Sequence, residues 1–404
     1  MRKFHDVAYK VLTILKLLVA FSLVYIFGYR LRKKNLWLIS EKVTEARDNG
    51  YHLFTYLRQK HPSLSAYYVI MRESPDLSKV APLGNIIKAN SFKHFCYYLS
   101  ARHSISSQPG GACPEPKSII LRFRSLARAD QDIVFLQHGI IKDELTHGFD
   151  YNKTHYSLFV CSSVQERNFV EKTYLYPKGI VKNLGLCRFD NLHNKKHLYK
   201  KQVLVMPTFR QWLISKNMPG EASDNENKQF RSSNFFKIYQ ELLEDRKLLE
   251  YLEQKGYKLV FYPHYALQPY IKCFSDMNSK TVIVADRWHY DVQQLLIESA
   301  CLITDFSSVF FDFAYMEKPE IFYQFDEKEY RATHYKKGYF DYREDGFGPV
   351  FQSRDQLVDY LIKTIENGCR VEEKYVNRIN QFFDKRDNHN CKRTYEAIKL
   401  LEEE

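Results

Sequence analysis

Glycine is sparse in this chain, and its cysteines form no pattern. Fifteen glycines in 404 residues, beside 30 tyrosines and 29 phenylalanines, exclude a fibrous or low-complexity protein. The eight cysteines, at 96, 113, 161, 187, 273, 301, 369 and 391, include no C-x-x-C, and several, such as Cys161 and Cys301, sit in apolar runs. That argues against a disulfide frame or a zinc site and fits a reducing cytosol. Fourteen histidines supply no H-E-x-x-H and no His/Cys cluster of suitable spacing, and no D-x-D suited to a divalent ion on a nucleotide diphosphate appears between strands. No metal and no cofactor is therefore expected. The sequence also lacks internal repeats, an RNP-type aromatic signature and a helix-turn-helix with a basic recognition helix, which argues against nucleic acid as a partner.

What is present is an ordinary globular composition, 45% hydrophobic and 27% charged, in a chain long enough for two cores. The net charge of +12 points to anionic partners, an acidic membrane face or phosphate-rich substrates, with simple solubility as the plain alternative. Residues 1–34 read as a membrane-associating segment. A long apolar helix is expected over 4–28, followed by Arg30, Arg32, Lys33 and Lys34. Asp6, Lys10, Thr13 and Lys16 fall at spacings of four, three and three, so the first half is amphipathic. No A-x-A cleavage pattern follows directly. Three placements remain open: lying in an anionic leaflet's interface, inserting as an anchor, or packing on the folded domain.

Beyond residue 34 short apolar strands alternate with amphipathic helices, the pattern of parallel sheets covered on both faces. The expected organisation is α/β and GT-B-like: two doubly wound parallel-sheet domains facing a cleft. An acceptor domain spans 35–190, a polar linker 191–202 and a donor domain 203–384, with a terminal helix in 385–404. Ser215–Asn234, nearly free of aliphatics, reads as a mobile loop. In such sheets ligands sit beyond the carboxyl ends of strands, so motifs at those ends carry the chemistry.

Four motifs qualify. Phe135-Leu-Gln-His138-Gly139 runs a strand into a glycine and offers His138 as a base near neutral pH. Val260-Phe-Tyr-Pro-His264 repeats the placement in the second domain, where His264 can donate to a phosphate oxygen. Leu302-Ile-Thr-Asp305-Phe-Ser307-Ser308 ends a buried strand and predicts a helix begun by two hydroxyl residues, either an anion site or plain capping. Val205-Met-Pro-Thr208-Phe-Arg210 closes the first strand of the second domain, and the fork of Arg210 could clamp phosphate. Gly346-Phe-Gly348-Pro349 shapes a nucleotide pocket or is simply a turn.

Taken with Trp37–Glu41, Glu45–Phe54, Gly185–Leu192 and Gly338–Val350, these motifs resemble the CDP-glycerol glycerophosphotransferase family, the teichoic acid primases and polymerases. The resemblance implies metal-independent transfer of a polyol phosphate from CDP-glycerol or a related CDP-polyol to a lipid-linked polymer, releasing CMP at the cytoplasmic membrane face. By family analogy His138 is the general base, while His264, Arg210, Ser307 and Ser308 hold donor phosphates. Asp305, Thr208 and Arg188 lie within the same matched motifs as substrate-binding candidates. One departure is visible: polymerases of that family typically carry W-H-G-T, whereas this chain has Gln137-His138-Gly139-Ile140, which bears on the acceptor or polyol. A nucleotide-sugar transferase on the same fold and a non-catalytic membrane-bound assembly subunit are the rival readings.

Overall fold

Strands that read as unbroken apolar runs, not alternating ones, belong in the middle of parallel sheets with both faces covered. β1 (Trp37–Ser40), β2 (Ala66–Ile70), β3 (Ile86–Lys88), β4 (His103–Ser106), β5 (Asp132–Phe135), β6 (Leu158–Cys161) and β7 (Val181–Asn183) form one such sheet. β8 (Gln202–Met206), β9 (Lys258–Phe261), β10 (Val282–Val284), β11 (Cys301–Thr304), β12 (Glu320–Tyr323) and β13 (Val350–Phe351) form the other. Every residue of β1, β6, β8 and β11 is buried. This computed structural model describes residues 2–145, 147–214 and 221–403.

Among the described residues the first sheet runs β3-β2-β1-β4-β5-β6-β7 and the second β10-β9-β8-β11-β12-β13, all pairs parallel. Each has the doubly wound order, in which the chain reverses its winding beside the first strand and leaves a crevice at the carboxyl ends. Those reversals fall between β1 and β4, and between β8 and β11. The edge strands β3 and β13, three and two residues long, escape sequence reading because such short runs carry no period. Gly346-Phe-Gly348-Pro349 leads into β13, and a Cβ at Gly348 would approach the Glu320 carbonyl oxygen within 1.9 Å. That loop is a close-packed turn against β12.

The chain divides into two compact units: residues 1–140 with 146–191 and 387–404, and residues 141–145 with 192–386. The division departs from the expected boundaries at two places. The segment 141–145 belongs to the second unit, and the helix expected in 385–404, observed as Asn390–Leu400, returns to the first. Asp190 holds that helix, its carboxylate accepting the backbone N–H groups of Asn390 and Cys391 at 2.8 and 2.9 Å. Gly185, at φ +80°, leaves room for Asn390, whose side-chain oxygen would lie 1.7 Å from a Cβ there. Further along, Glu402 accepts from the Trp37 indole at 3.2 Å and from Asn35 at 3.0 Å. Gly185–Leu192 is therefore a dock for the returning chain.

The amino-terminal helix spans Arg2–Phe27. Thr13, Leu17, Ala20 and Val24, spaced four, three and four, are buried; the last three join Phe95, Tyr98, Leu99 and Ile120 of the first unit. Thr13, expected on a polar face, back-bonds to the Tyr9 carbonyl at 2.9 Å under that stripe. Leu12, Leu15, Leu18, Val19, Leu23 and Ile26 remain exposed. Tyr9–Phe27 is long and apolar enough to cross a membrane by length and composition alone. The side chains of Asp6 and Arg30 lie outside the described part of the helix region.

Two further expectations change. Residues 215–220 of the proposed loop lie outside the described residues, and Asp224–Ser232 is helical, begun by a Ser223/Glu226 capping box. The amphipathic stretch Phe235–Gln254, which reads by sequence as one helical region, holds two helices, Asn234–Leu243 and Arg246–Lys255, because Asp245 caps the second through the Leu248 N–H at 2.9 Å. Asp190→Ala should lower the unfolding free energy of the first unit by about 1–2 kcal/mol, the value of a lost helix cap, read from urea denaturation followed by Trp37 fluorescence.

Candidate functional site

In the first unit His138 follows β5 on a backbone that few residues adopt. Gln137 has φ +61°, a left-handed conformation uncommon outside glycine. Its side-chain amide holds it there, donating to the Val160 carbonyl at 2.6 Å and to Glu166 at 3.1 Å. From the other side the Asn49 amide donates to the Gln137 carbonyl at 2.8 Å. Gln137 thus braces the turn.

The result is a histidine of defined tautomer. His138 Nδ1 lies 3.1 Å from the Ser107 carbonyl. A carbonyl only accepts, so Nδ1 carries the hydrogen and Nε2 keeps its lone pair. Desolvation pulls the pKa below the ordinary 6.5, partly offset by Asp48 and the Ser107 carbonyl. The ring still meets solvent. His138 is therefore neutral near pH 7, with an accessible base.

Arg188 stands in the same unit, buried, with Nη1 2.9 Å from Asp48. Asp48 caps the Asn49–Lys60 helix, and the Asn49 side-chain oxygen accepts the Arg188 N–H at 3.0 Å. Beneath them Glu41 accepts the N–H groups of Arg47, Asp48 and Tyr51 at 2.6, 3.1 and 3.0 Å. Burial, reinforced by Asp48, pushes Glu41 up to about 8 against those bonds. Asn49 thus ties the His138 turn to the Arg188 motif. Sequence reading passed over Glu41, Asp48 and Asn49, although all three fall within matched motifs.

In the second unit the reversal between β8 and β11 is organised by Asp305. One carboxylate oxygen accepts the N–H groups of Thr208 and Phe306 at 2.8 and 2.6 Å; the other meets Arg210 Nη2 at 2.9 Å. Arg210 also donates to Asp326 through Nε at 2.7 Å and to the Thr208 carbonyl at 2.8 Å. Its guanidinium lies between Phe235, Phe306 and Tyr330, 5.1 to 5.2 Å from each ring centre. Burial opposes its charge, but Asp305 and Asp326 prevail and raise its pKa. Both Arg210 and Asp305 are 0% exposed. This corrects the expectation that Arg210 clamps a phosphate: its donors are engaged within the fold, where it fixes the turn, and Asp305 does likewise.

The other candidates of this unit stand around that frame. Thr208 is buried, and its hydroxyl has no hydrogen-bond partner. Ser307 and Ser308 are half-buried and form a turn before a helix of only six residues, Phe310–Tyr315, in place of the expected serine-started helix. Ser307 Oγ accepts the Val309 N–H at 3.4 Å. His264 leaves β9 with Nδ1 accepting the Ala266 N–H at 3.3 Å, which places the neutral ring's hydrogen on Nε2. Its ring stacks on Phe209 at 4.9 Å, and Phe209 meets His334 edge-on at 4.7 Å.

His334 was not legible from sequence, standing alone in a polar run. Neither of its ring nitrogens has a hydrogen-bond partner, and burial, aided by Arg210, pushes its pKa down to about 4. Among the described residues no group of three or more His, Cys, Asp or Glu side chains is placed to hold a metal ion.

Known proteins share this architecture and sequence. A family profile for CDP-Glycerol:Poly(glycerophosphate) glycerophosphotransferase matches residues 21–400. Minor teichoic acid biosynthesis protein GgaB of Bacillus subtilis is 34% identical over 372 residues, covering 92% of this chain and 40% of GgaB. A teichoic acid poly(glycerol phosphate) polymerase of Staphylococcus epidermidis is 23% identical over 369 residues, covering 84% of this chain and 46% of the polymerase. The chain thus spans less than half the length of these relatives. Among solved structures, the wall teichoic acid polymerase TagF superposes with a TM-score of 0.69 at 16% identity, covering 100% of this chain and 98% of that one. Two parallel-sheet α/β units and a profile match over nearly the whole chain lead to one assignment: the protein belongs to the CDP-glycerol:poly(glycerophosphate) glycerophosphotransferase family.

Proposed function

We propose that the chain transfers glycerol phosphate, or a related polyol phosphate, from a CDP-linked donor to a hydroxyl of a cell-wall polymer, releasing CMP. The observation that carries this reading is the opposed protonation of two histidines at strand ends. His138 presents an acceptor at Nε2; His264 presents a donor at Nε2. A hydroxyl nucleophile needs the first, and a departing phosphate needs the second. In this mechanism the acceptor oxygen attacks the polyol-bearing phosphorus while its proton passes to His138 Nε2. The bond from that phosphorus to the bridging oxygen breaks, and the electron pair leaves on CMP. His264 and the hydroxyls of Ser307 and Ser308 supply hydrogen bonds to phosphate oxygens. The family's chemistry supports this assignment, and no cofactor is invoked.

The same proposal places the protein on the cytoplasmic face of an anionic membrane, acting on a lipid-linked acceptor. Support comes from the amino-terminal helix, one stripe of which is packed on the first unit while the opposite face stays apolar and exposed. A helix held along a folded unit in this way fits lying in the interface better than spanning. Lys16, Arg32, Lys33 and Lys34 supply the positive charge that anionic headgroups attract. Every cysteine is a free thiol, consistent with a reducing compartment.

Four outcomes test the reading. CMP release from CDP-glycerol, assayed beside CDP-ribitol and UDP-sugars, should appear with a CDP-polyol; turnover of UDP-sugars alone would favour the sugar-transferase rival. His138→Ala should lower that rate by about 10²–10⁴-fold while donor binding persists, and an unchanged rate would refute the base assignment. Because the neutral ring is the active form and its pKa is depressed in the free protein, kcat/KM should fall with acidification only below pH 6.5, the ordinary histidine value. In flotation with phosphatidylglycerol vesicles, Leu15→Glu combined with Leu23→Glu should weaken binding at least tenfold. Each buried leucine contributes about 1.5–3 kcal/mol, and about 1.4 kcal/mol is tenfold.

A further inference from the structure

Lys42 leaves the first sheet on the side where His138 stands. β1 ends at Ser40, next to the winding reversal between β1 and β4. Across that reversal the Ser40 hydroxyl donates to the Ser106 hydroxyl at 3.3 Å, and the Ser40 carbonyl accepts the Ser107 N–H at 3.4 Å. Ser107 is the residue whose carbonyl fixes His138 Nδ1. Two hydrogen bonds therefore link the chain two residues before Lys42 to the imidazole, and every residue in that link belongs to the first unit. Lys42 itself opens a turn, its carbonyl accepting the Glu45 N–H at 2.9 Å, and it is half-buried.

The charges that bear on the ring are two cations and one anion. Asp48 favours a proton on His138, while Lys42 and Arg188 disfavour it. Arg188 is pinned beside Asp48 at 2.9 Å, and that pair largely cancels. Glu41, buried beneath them and pushed up to about 8, adds little negative charge at neutral pH. What is left beside the base is the positive charge of Lys42. An uncharged sugar hydroxyl gains nothing from it. A hydroxyl carried close to a phosphate is drawn in and oriented by it.

We infer that Lys42 is an acceptor-binding residue, holding a phosphodiester of the acceptor next to the hydroxyl that His138 deprotonates. The inference rests on the role given to His138 under Proposed function and names the substrate of that site. The acceptor end is itself a polyol phosphate, so the reaction extends a chain and does not begin one on an uncharged sugar. The Lys42 ammonium donates to a non-bridging phosphate oxygen one polyol unit back from the reacting oxygen; a lysine suits this as a compact point charge. Removing it acts on the acceptor's KM, whereas the donor's phosphates are assigned to the turn of the second unit.

The test uses the full chain, CDP-glycerol as donor, and two acceptors on the same lipid, one ending in glycerol phosphate and one in an uncharged sugar. Lys42→Gln should raise KM for the phosphate acceptor at least about tenfold, as for a lost charge-assisted hydrogen bond, with kcat changed less than about threefold and donor KM less than about twofold. Lys42→Arg should recover most of that loss. An unchanged acceptor KM overturns the inference, as does an equal penalty on the uncharged acceptor or a penalty on donor KM instead. Two further readouts need no turnover. The titration of the His138 ring, followed by NMR, should move upward in Lys42→Gln, because a neighbouring cation is gone. Calorimetric affinity for a short glycerol phosphate oligomer should fall at least about tenfold. A failure of either overturns the subsite, whereas both responses without CMP release leave it standing and remove the transfer reading.

Discussion

A carboxylate with no lone pair left for solvent organises the second unit. Asp305 ends β11 and gathers the Thr208 N–H, the Phe306 N–H, the Arg210 guanidinium and the Tyr239 hydroxyl. Charge of that kind is costly to bury, and an apolar replacement of similar volume is often no less stable. What the carboxylate supplies is direction: four donors from three chain segments converge on two oxygens, so the ends of β8 and β11 take one arrangement. Ser307, Ser308 and Thr208 take their positions from it. The first unit differs at its own winding reversal, where Glu41, its pKa raised by burial, gathers three backbone N–H groups without a cationic partner among them, and the nearby Asn49 amide bonds to the His138 turn.

These frames explain why each neutral histidine has a fixed tautomer. An imidazole is ambivalent in water, since either nitrogen can hold the hydrogen. Here a carbonyl settles one ring and an N–H settles the other. The backbone partners are placed by strand ends, and the strand ends are placed by the buried acids. Chemistry at the surface of each unit therefore depends on electrostatics beneath it.

Most of the fold was readable because buried parallel strands announce themselves as apolar runs, and eleven of the strands did so. β3 and β13 did not, being two or three residues at sheet edges. Strand-end logic also put His138, His264, Ser307 and Ser308 just beyond the strands they follow. It misled at Arg210, because a sequence shows an arginine's charge but not the two aspartates that surround it. Asp326 lies over a hundred residues away from it, and only tertiary structure discloses that pairing.

The return of residues 387–403 to the first unit has a consequence for the order in which the protein is made. Trp37 opens the first strand, yet its indole partner, Glu402, and the Asp190-capped helix come from the far end of the chain. During synthesis the ribosome releases the whole of 192–386 before those residues emerge. The later-encoded unit can thus be finished while the earlier one still lacks its closing helix, so maturation runs opposite to translation.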